Sequence, residues 1–113
     1  MSEKLVHLIV KLTASTERGQ RSWEQTALPD SYHTSFPNHV ISIRQNSDPL
    51  ISEPTGLRLT IQDIDGRMIE SVSDEDLAQE WTESKLRMKR LFDVARESAL
   101  GVERVLDDIM SQI

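Results

Sequence analysis

The chain has no cysteine, and this excludes a disulfide framework, a thiolate nucleophile and any Cys-ligated zinc or iron-sulfur site. A cysteine-free chain suits a reducing compartment, so a cytoplasmic location is expected. Glycine is scarce, with four residues in the chain, and none falls into a phosphate-loop or dinucleotide-binding pattern. There is no GxSxG elbow and no HExxH helix, so serine-hydrolase and zinc-hydrolase chemistry lack their usual sequence support. No apolar run approaches the roughly 18 residues that read as a membrane span. The opening MSEKLVHLIVKL is too short an apolar stretch for a secretory leader, and a soluble, untargeted chain is expected. Basic charge is also in deficit: 13 Lys and Arg against 19 Asp and Glu give a formal charge of −6. That sign opposes binding to a phosphate backbone, so no nucleic-acid partner is expected.

What is present amounts to one domain over residues 1–113, long enough to bury a core without metal or disulfide staples. The most informative stretch is GLRLTIQDIDGRMIESVS, Gly56 to Ser73. Leu57, Leu59 and Ile61 alternate with Arg58, Thr60 and Gln62, the period of a strand with one buried face. Asp65-Gly66 supplies a turn. A two-residue loop would set Ile61 opposite Glu70 and mix polar with apolar on both faces. A three-residue loop with Gly66 left-handed sets Ile61 opposite Ile69 and Asp63 opposite Arg67, and side-chain chemistry favours that register.

Upstream, Leu5, Leu8, Ile9 and Leu12 have helical spacing, and Arg18 followed by Gly19 signals a helix end, so residues 3–18 are expected to be helical. A short strand is expected near 22–27, ended by Pro29-Asp30. Residues 31–36 and 39–45 form a hairpin about Pro37-Asn38, with Thr34 facing Ile41 and Tyr32 facing Ile43. In that register His33 pairs with Ser42 on the face opposite His39, too far apart in direction to share a metal ion. The polar stretch at 45–55 reads as a long connecting loop whose Leu50-Ile51 can pack back on the body. The last strands are expected at 57–63 and 67–72.

Ser73 followed by Asp74, Glu75 and Asp76 is a helix N-cap with carboxylates at the positive end. Apolar residues from Leu77 to Ala99, including Trp81 and Phe92, then recur at helical spacing and predict one long helix, with Glu83 and Arg87 as an ion pair. Gly101 predicts a break. Beyond it, Val102, Val105, Leu106, Ile109 and Ile113 make one apolar stripe, expected either to fold back on the domain or to form a contact with a partner or a second copy, with folding back preferred.

The fold class expected is therefore α+β: an N-terminal helix, a four- to five-stranded antiparallel meander and a long C-terminal helix broken near Gly101. The segment LFDVARESALGVERVLDDIMSQI, with LIVKLTASTERGQRSWEQT and GLRLTIQDIDG upstream, resembles small uncharacterised bacterial proteins in which an alanine-rich helix meets an ALGV junction and a short VLDDI-like helix. The resemblance implies the same element order and a bacterial origin, and it implies no activity, cofactor or site residue.

Asp63-Ile64-Asp65-Gly66 lacks the first and twelfth ligands of a calcium loop and reads as a turn. The five aromatics, Trp23, Tyr32, Phe36, Trp81 and Phe92, are scattered over sheet and helix in the manner of core residues. With no catalytic, cofactor-binding or metal-ligating constellation to name, the expectation is a non-catalytic protein-interaction or regulatory module without a cofactor. The alternative is a motif-poor enzyme or small-ligand-binding protein with its site under the 45–55 loop.

Overall fold

In the computed structural model, residues 3–47 and 54–113 are described, with side chains over 3–45 and 56–113. The first element, α1 (Glu3–Glu17), buries Ile9 and Leu12, the centre of the expected stripe. It ends where Gly19 turns left-handed at φ 74°. The Gly19 and Gln20 N–H groups then bond back to the Thr16 and Ser15 carbonyls at 3.0 Å, which satisfies carbonyls the helix leaves unpaired.

Five strands follow: β1 (Glu24–Gln25), β2 (Ser31–Ser35), β3 (His39–Ser47), β4 (Pro54–Asp63) and β5 (Met68–Ser73). They make one antiparallel sheet in sequence order. The central hairpin has the expected register, with Tyr32 opposite Ile43 and Thr34 opposite Ile41, and the Phe36 N–H bonded to the His39 carbonyl at 2.7 Å. The sheet buries Tyr32, Ile41, Ile43, Leu57 and Leu59 on its helix side.

Strand β1 is shorter than the expected 22–27. The Trp23 N–H bonds to the Ser98 hydroxyl (3.0 Å) rather than to a strand, and the Thr26 N–H closes a turn onto the Ser31 carbonyl. In the opposite sense, β3 and β4 extend into the expected 45–55 loop, pairing Asn46 with Gly56 and, past a register shift, Ser47 with Pro54. Residues 48–53, with the Leu50-Ile51 pair, lie outside the described residues.

The second hairpin combines both candidate registers. Its turn is the three-residue one, with Gly66 at φ 86° and the Asp63 N–H on the Arg67 carbonyl at 3.0 Å. A bulge between Ile61 and Gln62 then shifts the pairing by one residue, so Gln62 faces Met68 while Ile61 faces Glu70, not Ile69. Ile69 is the extra residue, and it is 55% exposed. The shift has a packing reason: it restores Val72 opposite Leu59, where Val72 joins the core.

Ser73 caps α2 (Asp74–Ala78) with a reciprocal pair of bonds, its hydroxyl accepting from the Asp76 N–H (3.1 Å) and its own N–H donating to the Asp76 carboxylate (3.3 Å). The expected long helix does not run on from there. It is interrupted at residues 79–83 before α3 (Ser84–Leu100). The Trp81 N–H ends α2 on the Leu77 carbonyl, and the buried Ser84 hydroxyl donates to the Asp74 carbonyl at 3.0 Å. This fold-back lets α2 sit over β4 and β5 while α3 crosses β1 to β4 and carries α1 alongside. Tyr32 and Phe92 meet at that sheet–helix contact with ring centroids 5.6 Å apart.

Gly101, at φ 63° and ψ 44°, ends α3 as expected and starts α4 (Val102–Ser111). The fold is α+β, with the expected order of elements. Among the described residues, no helix is long and apolar enough to cross a membrane.

Candidate functional site

Among the described residues, two surfaces combine apolar exposure with a defined shape. The first is α4. Its stripe was expected to fold back, but none of its residues is buried, and among the described elements the one it touches is α3. The left-handed turn at Gly101 directs the helix away from the sheet, so Val105, Leu106, Ile109 and Met110 are 46 to 62% exposed. Val102 is half-buried at the junction, and Ile113 lies just past the helix, exposed. The radius of gyration, 14.9 Å, exceeds the roughly 13 Å of a compact chain of this length, as a projecting element requires.

The second surface is a cleft of about 470 Å³ between α1, the β4–β5 end of the sheet and α2. α1 runs chiefly along α3 while α2 sits over β4 and β5, and the cleft opens between the two helices. Leu5 and Leu8 form one wall, Ile61 and Val72 the floor, and Leu77 the other wall. Glu70 also lines it, because the bulge puts Glu70 on the helix side opposite Ile61. One Glu70 oxygen accepts from the Ser71 N–H at 3.1 Å. Lys4, Asp76 and Glu80 complete the rim, and the Asp76 carboxylate is engaged by the Ser73 cap.

A third depression, between the end of α1 and the α3–α4 junction, is bridged by an ion pair. Glu17 accepts from Arg90 at 3.1 Å, and this bond, with the charge of Glu17, raises the Arg90 guanidinium above its ordinary value. Arg21 bonds to the Thr34 hydroxyl and the Ser35 carbonyl and stacks 4.1 Å over the Phe36 ring.

The remaining polar residues singled out in the sequence do not converge. His33 faces Ser42 and lies 3.6 Å from the Glu24 carboxylate, whereas His39 pairs with Asp63 at the far end of β3. No group of three metal-ligating side chains occurs among the described residues. The Asp63 carboxylate accepts from the Asp65 and Arg67 N–H groups at 3.0 and 2.9 Å, which makes it part of the turn. Sequence reasoning did not find the cleft, and it placed Glu70 opposite Ile61 only in the register it set aside. The available signal was Met68-Ile69, two adjacent apolar residues that a two-faced strand cannot both bury. No family model matches the chain, and no curated protein or solved structure does.

Proposed function

We propose that the protein is a single-domain, non-catalytic interaction module that docks through α4, with a second copy of the chain as its simplest partner. The observation that carries this is an amphipathic helix with no buried residue whose apolar side chains share one face. A ten-residue helix is too short to be stable alone in water, so α4 gains from an apolar surface laid against it. Self-pairing about a twofold axis supplies that surface from an identical stripe. Half-exposed aliphatic side chains still forgo roughly 1 kcal/mol each. Four of them per copy make about 8 kcal/mol per pair, against an association cost of about 4–15 kcal/mol. The pairing is therefore weak. The acidic charge supports a protein partner over nucleic acid, and the absence of cysteine and the resemblance noted above support a bacterial cytoplasm as its setting.

Light scattering from 10 μM to 1 mM on wild type and Leu106→Glu tests the reading. A concentration-dependent dimer that the substitution converts to a folded monomer supports it. A wild type that stays monomeric throughout, with a variant that loses stability, places the stripe in the protein's own core and refutes it.

A further inference from the structure

We infer that the cleft between α1, α2 and the β4–β5 hairpin binds an organic cation: an amine or related positive group on an apolar body, with Glu70 as the counter-charge. The site is separate from α4, so this does not depend on the docking role proposed above. The cleft volume, about 470 Å³, falls within the range of small-molecule sites, which are mostly apolar with a few placed polar groups. Leu5, Leu8, Ile61, Val72 and Leu77 supply the apolar part.

The decisive feature is the bulge. In an uninterrupted three-residue register Ile69 would face Ile61 and close the floor with a second aliphatic. Instead Ile69 becomes the extra residue and Glu70 stands opposite Ile61, an exposed side chain at the edge of the cleft it lines. Bulges re-aim side chains in this way and are over-represented beside binding sites. A carboxylate at the edge of an apolar cleft selects a cation by charge complementarity, and the charged lining taken together, Glu70, Asp76 and Glu80 against Lys4, is net negative. The same charges disfavour α4 of another copy as occupant, since that helix carries Glu103, Asp107 and Asp108 against Arg104.

The test is an NMR amide titration of the full chain with three probes of one shape: 4-phenylbutylamine, 4-phenylbutanol and 4-phenylbutyrate. The amine is expected to shift the amides of Leu5, Leu8, Glu70 and Val72 saturably, to bind about tenfold more tightly than the alcohol, and to exceed the acid by more. Glu70→Gln should bring the amine down to the affinity of the alcohol and leave the alcohol unchanged, while Asp107→Asn on α4 should change neither. Raising salt to 0.5 M should shrink the amine's preference in the wild type, a readout that needs no variant. Equal binding of amine and alcohol, shifts confined to other surfaces, a preference that survives Glu70→Gln, or one indifferent to salt would each overturn the inference.

Discussion

The bond between the Trp23 indole and Thr16 offers a direct test of how the end of α1 and the sheet are held together. Trp23 is 2% exposed, and its Nε1–H donates to the Thr16 hydroxyl at 2.9 Å. That hydroxyl in turn donates to the Leu12 carbonyl at 2.7 Å. Thr16→Val keeps the shape of the side chain but strands the indole N–H away from solvent. An orphaned buried donor costs about 1–3 kcal/mol, so a loss of about 2 kcal/mol is expected. With a urea m-value of about 1.5 kcal/mol/M, the midpoint falls by roughly 1.3 M. Trp23→Phe removes the donor but also opens a void, so its own cost is not diagnostic. The double variant is, because the valine then faces no orphaned donor. The Thr16→Val step should cost under about 0.5 kcal/mol in the Trp23→Phe background, a coupling of about 1.5 kcal/mol. Unfolding is followed by far-UV circular dichroism, since one of the two tryptophans is altered. A Thr16→Val effect equal in both backgrounds would refute the reasoning.

Gly56 sits at φ 137°, and a Cβ there would meet the Asp74 carboxylate at 2.9 Å, the group that accepts the Leu57 N–H. Gly56→Ala should therefore destabilise by about 2–3 kcal/mol in a urea melt. Gly101→Ala has the left-handed strain without a neighbour in the way, and thermal unfolding should show a smaller cost of about 1 kcal/mol. Ile69→Thr should be nearly neutral, within about 0.5 kcal/mol, while Leu59→Ala costs about 2–5 kcal/mol. A large effect at Ile69 in the same assay would mean that it faces Ile61 after all. Ser73→Ala should cost about 1 kcal/mol through loss of the cap, read as a lowered urea midpoint.

The features legible in the sequence are those set within a few residues. Gly19, Gly66 and Gly101 mark left-handed positions that few other residues adopt, and Ser73 with Asp76 writes its own cap. The hairpin about Pro37-Asn38 reads correctly because its two strands alternate in phase. What escaped the sequence is set at longer range. Continuous helical spacing from Leu77 to Ala99 cannot show that Ser84 will bond back to the Asp74 carbonyl and fold the segment at residues 79–83. The bulge at Ile69 is chosen by where Val72 must land on Leu59, not by the turn that precedes it. The stripe on α4 looks the same in sequence whether it is packed or bare, because periodicity records a face and not what covers it.

The bulge also bears on how the molecule avoids sticking to itself by its sheet. Strand β5 is one border of that sheet and β1 the other, and a border presents unpaired backbone groups that invite an incoming chain. On one side β1 is two residues long, too brief to template a neighbour. On the other, the extra residue in β5 breaks the even spacing of its N–H and C=O groups just where Met68 and Ile69 are most exposed, so an added strand would lose register at the point of greatest apolar attraction. Both borders are thus poor seeds for fibre-like growth.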